Sequence, residues 1–384
     1  MLKQPPSLMR MIAELIAIPS VSSVSPQFDQ GNRAVVERLA LWLEGMGFDC
    51  RLQEIPGQPD KANLIAALGR GEGGLVLAGH TDTVPYDAGR WSSDPFTLQE
   101  RDGRLYGLGT SDMKSFLALA IEAARGLRTQ DLTQPLVILA TADEESGMTG
   151  AQALADAGRR FGRHALIGEP TGLRPQRMHK GVMMEAIRIL GRSGHSSDPA
   201  LGVNALEGMT RVLNELLRWR GELQSRYSEP AFAVPVPTLN LGHIHGGDNP
   251  NRICAEAELH IDLRPLPGMS LEELRAELRA RLEAVLGDGA WGLELRSLFP
   301  GLPALQTPPR AEIVQVAERL TGAQAGAVAF GTEAPFLQQL GMDTIVLGPG
   351  DIEQAHQPDE FLAVDRLQPT VDLLRGMIRR FCLS

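Results

Sequence analysis

Three short runs, Leu75–Ala78, Leu136–Ala140 and Ala165–Ile167, are apolar at every position. A strand with one wet face alternates apolar and polar residues, so runs that do not alternate belong in a sheet covered on both sides. Helix-length segments separate them, Ser115–Leu127 and Thr149–Arg159, and Asp102-Gly103 between Thr97-Leu98 and Leu105-Tyr106 signals a hairpin turn. The pattern resumes late, with a helix near Glu312–Thr321, a strand near Ala327–Phe330, a strand Thr344–Leu347 and a last helix from about Val364. Such alternation predicts an α/β fold, a mostly parallel sheet flanked by helices, assembled from residues 1–181 and 300–384.

Residues 182–299 keep a different rhythm. Met183–Leu190 reads as a strand, Asn204–Leu223 as a helix and Thr238–Ile244 as a second strand. Ala255, Ala257, Leu259, Ile261 and Leu263 alternate with polar neighbours, which gives a third strand one buried face. Ser270-Leu-Glu-Glu273 is a capping box that opens a helix running to about Val285, and Trp291–Leu298 supplies a fourth strand. The order β-α-β-β-α-β predicts a split-βαβ, ferredoxin-like lid domain inserted into the α/β domain.

Charge and composition narrow the functions. Lys plus Arg number 37 and Asp plus Glu 47, a net charge of −10, and there is no basic run to grip a phosphate backbone, so no nucleic-acid partner is expected. No stretch reaches the roughly 18 apolar residues of a membrane helix. Leu8–Ile18 is interrupted by Arg10 and Glu14 and reads as an amphipathic helix, not a signal peptide. Cys50, Cys254 and Cys382 are far apart with no CxxC pair, which suits a reducing compartment and a cytoplasmic protein.

In open α/β sheets, ligands bind beyond the carboxyl ends of the strands. Just past the apolar runs come Gly79-His80-Thr-Asp82, Thr141-Ala-Asp143-Glu144-Glu145 and Gly168-Glu169-Pro170, and His356 follows the late strand. Gly107-Leu-Gly-Thr-Ser-Asp112 adds a carboxylate immediately before a helix. Two imidazoles and three carboxylates suit zinc, cobalt or manganese. Three carboxylates and a hydroxide carry four negative charges, the sum that two divalent cations neutralise. Spacing alone leaves open a metal site and a set of polar turn residues satisfied by their surroundings.

The segments Gly79–Pro85, Gly109–Lys114, Ala142–Glu145, Gly168–Pro170 and Gln354–His356 resemble, in order, the successive motifs of the dinuclear-zinc aminoacylase and carboxypeptidase family of M20-type metallopeptidases. Gly194–Pro199, Asn240–Gly247, Asn251–Cys254, Gly331–Phe336 and Ala355–Glu360 extend the resemblance over nearly the whole chain. It implies that His80 and Glu169 hold one metal, that Glu145 and His356 hold the other, and that Asp112 bridges them. Asp82 is then expected to orient His80, and Glu144 to act as general base. The implied cofactors are two divalent ions per chain, zinc with cobalt able to substitute. The implied reaction is hydrolysis of the acetyl amide of N2-acetyl-L-ornithine, with succinyl-diaminopimelate or a broader range of N-acyl amino acids as enzymatic alternatives. A metal-binding carrier without activity is the alternative of another class. The resemblance further implies a homodimer in which His195 of the inserted domain reaches the partner's site as an oxyanion donor. Asn251 and Arg264 are candidates to grip the substrate carboxylate, and Gly331, Thr332 and Glu333 to line the pocket. Ser115 departs from the family pattern, which has Gly after Asp-Met-Lys, but it is not a ligand.

Other signals are discounted. Gly69–Gly74 matches GxGxxG but precedes a strand and opens no helix, so it reads as a turn. His243 and His245 share one strand face without evident third ligands and are read as structural.

Overall fold

The computed structural model describes residues 4–287 and 289–383. The chain forms two compact units. One comprises residues up to Arg177, Thr307–Gly326 and residues from Thr332 onward, and the other Met178–Gln306 with Ala327–Gly331.

The first unit is built on a mixed sheet. Its strands are β1 (Asp49–Ile55), β2 (Gln58–Leu68), β3 (Leu75–His80), β4 (Leu136–Thr141), β5 (His164–Pro170) and β6 (Asp343–Gly348), in spatial order β1-β2-β4-β3-β5-β6. β4, β3, β5 and β6 run parallel. β1 and β2 form an antiparallel hairpin that extends the edge beside β4. Every residue of β3, β4 and β5 is buried, which is why these strands carry no polar alternate. The helix Lys114–Ala124 is almost wholly buried and packs against the helices Leu8–Ile16 and Leu367–Cys382. Helices Thr149–Ala157 and Ala334–Gln339 pack on each other. None of the described helices is long and apolar enough to cross a membrane.

A small three-stranded sheet positions one loop of the site. Gln99–Arg101 and Arg104–Tyr106 pair around Asp102-Gly103, whose φ values of 53° and 70° are those a two-residue hairpin turn of the primed type requires. Phe361–Ala363 pairs with the second of these strands and so lays the residues that follow His356 alongside the loop leading to Asp112.

The inserted unit has the strands Met183–Leu190, Thr238–Gly246, Glu256–Arg264 and Gly292–Ser297 and the helices Ala205–Arg226 and Leu271–Leu286. All pairings in its four-stranded sheet are antiparallel, with Met183–Leu190 and Glu256–Arg264 in the centre. Glu256–Arg264 alternates between buried and wetter positions, as its sequence requires. Asn204 and Ser270 cap the two helices by accepting backbone N–H bonds from Leu206 and Glu273. Trp219 is fully buried between the helices and the sheet. The β-α-β-β-α-β order is the split βαβ.

Candidate metal centre

The parallel strands deliver their chemistry at their carboxyl ends. His80 is the last residue of β3, Glu169 is the next to last of β5, and Glu144 and Glu145 lie on the turn after β4. Asp112 directly precedes the segment that starts helix Lys114–Ala124. His356 lies beyond β6, after the short turn Ile352–Gln354, with φ at 61°.

These six side chains meet. His80 Nδ1 lies 2.9 Å from the carbonyl oxygen of Asp82. A carbonyl only accepts, so Nδ1 carries the proton and Nε2 keeps its lone pair for a cation. That Nε2 is 3.1 Å from Asp112 Oδ1 and 3.8 Å from Glu169 Oε1. His356 Nε2 is 3.0 Å from Glu145 Oε2 and 3.6 Å from Asp112 Oδ2. Asp112 therefore turns one oxygen to each imidazole. Glu144 offers an oxygen within 4.8 Å of donor atoms of His80 and Glu169, and His80, Asp112 and Glu145 form a second set of that kind. The neighbours Glu144 and Glu145 thus face different partners.

Asp82 differs from expectation in detail. Its main-chain carbonyl, not its carboxylate, bonds His80, and its Oδ1 stands 3.7 Å from Nδ1. The carboxylate is occupied elsewhere, with Oδ2 accepting the Glu145 N–H at 3.0 Å. Asp82 consequently ties the end of β3 to the turn that carries Glu145.

Burial governs the electrostatics. It raises the carboxyls of Glu144 and Glu169 well above the usual carboxylate range and that of Glu145 less far, and neighbouring carboxylates reinforce each rise. Burial also pushes Asp112 up, but its hydrogen bond and charge interaction with His80 prevail and hold it below its ordinary value. Glu145 Oε1 and Glu169 Oε1 are buried without a hydrogen-bond partner. Lone pairs and carboxylate oxygens that converge without donors call for positive charge among them. The residues fit divalent cations, with His80 and Glu169 able to hold one, Glu145 and His356 the other, and Asp112 both.

Three supporting residues escaped the sequence reading as individuals. Asp143, with φ at 65°, accepts from Ser22 Oγ and Lys61 Nζ on Oδ1 and from Thr149 Oγ1 on Oδ2. Lys114 is fully buried, donates to the Ile18 carbonyl and is pulled down to about 7 by burial against the opposing pull of Asp82 and Glu360. Glu360 is buried and accepts three backbone N–H bonds from the Asp112 loop, while burial pushes its carboxyl up to about 8. All three sit inside quoted motifs, Ala142–Glu145, Gly109–Lys114 and Ala355–Glu360, and that was their only signal.

The remaining candidates divide between the two units. Thr332 and Glu333 are buried, and Glu333 Oε2 accepts from Thr141 Oγ1 at 2.7 Å, with burial raising its carboxyl to about 7. Gly331, His195, Asn251 and Arg264 belong to the inserted unit. There Arg264 Nε pairs with Asp262 at 2.9 Å, and exposed His195 accepts the Ser197 N–H on Nδ1 at 3.2 Å. Asn251 is also exposed, and its carbonyl accepts the Ser196 N–H. His243 stacks on His260, and among the described residues no metal-ligand set forms around them.

Known proteins resemble this chain over nearly its whole length. The sequence profile of peptidase family M20/M25/M40 matches residues 76–380. An acetylornithine deacetylase of Edwardsiella ictaluri is 51% identical over 379 residues, covering 99% of both chains. An acetylornithine deacetylase of Pasteurella multocida is 50% identical over 381 residues, 99% of this chain and 100% of that one. Aminopeptidase PepT of Bacillus cereus shares the fold at a TM-score of 0.76 and 21% identity over 97% of each chain. A dinuclear metal-binding peptidase of Bacillus subtilis shares it at 0.67 and 17%, also over 97% of each. With the profile spanning both arms of the α/β unit and the divalent-cation donor set in place, this chain belongs to peptidase family M20/M25/M40 and is a metal-dependent hydrolase.

Proposed function

We propose that this chain hydrolyses the acetyl amide of N2-acetyl-L-ornithine to L-ornithine and acetate, for arginine biosynthesis in the cytoplasm. The observation that carries the substrate is the identity of 51% and 50% to two acetylornithine deacetylases over nearly the full length. The cations are two zinc ions per chain, with cobalt able to substitute. When bound, they supply a water of lowered pKa and polarise the amide carbonyl. Glu144 takes the proton of the attacking water and returns it to the leaving amine. Its position supports this role, since one of its oxygens lies within 4.8 Å of donor atoms of His80 and Glu169. Asp82 holds the imidazole of His80 and the turn of Glu145 in register.

The inserted unit serves as lid and dimerisation domain, with Asn251 and Arg264 gripping the α-carboxylate and Gly331, Thr332 and Glu333 shaping the pocket. His195 donates to the tetrahedral oxyanion in the partner subunit's site. Because its Nδ1 accepts from Ser197, its Nε2 carries the proton and is a donor. A homodimer is supported by the edge strand Thr238–Gly246 with Ile244 exposed on it, and by Leu206 and Leu217, exposed three turns apart on one helix.

Steady-state kinetics on acetylornithine, acetylmethionine and succinyl-diaminopimelate, with and without chelator, test the assignment. The expected result is the highest kcat/KM on acetylornithine and loss of activity on chelation. A preference for the succinylated substrate, or activity that survives complete metal removal, would overturn it.

A further inference from the structure

Glu360 joins two ligand segments that are distant in sequence. Its Oε1 accepts the N–H groups of Ser111 at 2.7 Å and Asp112 at 3.0 Å, and its Oε2 accepts that of Gly109 at 3.0 Å. Its main-chain oxygen accepts the Gly107 N–H at 3.1 Å. Four backbone donors of one loop thus converge on one residue, 248 positions from Asp112. The loop is shaped for this. Gly109 has φ at 88°, and a Cβ there would come within 2.8 Å of Lys114 Cδ, so only glycine presents its N–H in this way. Glu360 in turn is placed by the strand Phe361–Ala363 and by the turn before it, where Asp359 Oδ1 accepts from the N–H and hydroxyl of Ser92. That same turn carries His356, whose Nε2 stands 3.6 Å from Asp112 Oδ2.

We propose that Glu360 is a positioning residue that fastens Asp112 and His356 into one unit, so that the cation held by Glu145 and His356 depends on it more than the cation held by His80 and Glu169. The first of these cations draws two of its three ligands from the fastened pair, the second only Asp112. His80, Glu169 and their partners on β3 and β5 make no bond to Glu360 and keep their places without it. The inference rests on the dinuclear reading of the site.

The test titrates chelator-stripped protein with Zn2+, for the unmutated chain, Glu360→Ala and Glu360→Gln, and measures amide hydrogen exchange on the same metal-free samples. In Glu360→Ala one cation should bind as in the unmutated chain and the other about 10- to 100-fold more weakly, the range seen when a residue that holds a ligand from behind is lost. Amides of Gly109, Ser111 and Asp112 should exchange faster. Glu360→Gln keeps an oxygen for Ser111 and Asp112 but turns an amine toward Gly109, so faster exchange at Gly109 and a smaller loss at the same cation are expected. That variant decides the matter if the alanine chain does not fold. Folded variants whose two affinities match the unmutated chain, or fall by equal factors, overturn the proposal. An unmutated chain that takes up fewer than two cations overturns the dinuclear reading with it, and is told apart because the fault lies in the chain without substitutions.

Discussion

Glu144 and Glu145 show how much a single backbone angle decides. Asp143 sits in the left-handed region, a conformation that costs a non-glycine residue unless its surroundings enforce it. Hydroxyls of Ser22 and Thr149 and the Lys61 ammonium enforce it here, and hydrogen bonds to that ammonium and those hydroxyls also hold the Asp143 carboxyl below its ordinary value despite burial. The turn that results aims Glu145 at His356 and leaves Glu144 beside His80 and Glu169. Glu144→Gln keeps the side-chain size but cannot take a proton, so kcat should fall by roughly 10²- to 10⁴-fold while metal content stays near that of the unmutated chain. Kinetics paired with elemental analysis checks this, and a near-normal kcat would remove Glu144 as the base. At this scale the side chains that meet in the cluster were legible because each follows an apolar run or precedes a helix. Glu360 and Lys114 were not, because their partners are backbone groups and a bond to a backbone N–H or carbonyl leaves no trace in residue type at the far end.

The strands repeat the lesson one level up. β3, β4 and β5 could be read from sequence because burial on both faces leaves no room for polar alternates. β1 could not, since this edge strand mixes exposed and half-buried positions and has only Ile55 fully buried, and Pro59 obscured the start of β2. Helix Lys114–Ala124 starts one residue earlier and stops three earlier than its apolar pattern suggested, and the last helix begins at Leu367 after a tight turn. β5 also opens on a titratable group. His164 is buried against Phe381, and burial holds its imidazole below its ordinary value, with Arg163 and Arg160 adding to the effect and Asp343 and Glu312 opposing it. A histidine depressed in the fold is neutral there while the unfolded chain still binds a proton, so stability is full above about pH 6.5, the unfolded value, and declines as pH falls below it. Replacing it in His164→Phe, which keeps a ring against Phe381, should flatten the denaturation free energy between pH 7 and 5.5. Equal slopes for the two proteins would show that His164 does not contribute.

At the scale of the molecule, the proposed sharing of sites between subunits makes a quantitative prediction. A Glu144→Ala chain and a His195→Ala chain should each be inactive alone, but a mixed dimer would have one site with both residues intact. With random re-pairing of equal amounts, half the dimers are mixed and one of their two sites works, so about a quarter of the unmutated activity per site should return. Verified subunit exchange with no recovered activity would place His195 in its own chain's site or outside catalysis. The placement of β6 has a different kind of consequence. It pairs in parallel with β5, yet Asp343 and its partner His164 are separated by the whole inserted unit. Closing so long a loop is entropically slow, whereas the strands and helices of the inserted unit find neighbours close by in sequence. A chain emerging from denaturant should therefore shape its insertion first and dock β6 late, bringing His356 with it, and pulsed amide exchange during refolding would show β6 protected after the inserted strands. On the proposed assignment such a chain would have His80, Asp112 and Glu169 in place before His356, so the order of folding would set the order in which it can be charged with metal.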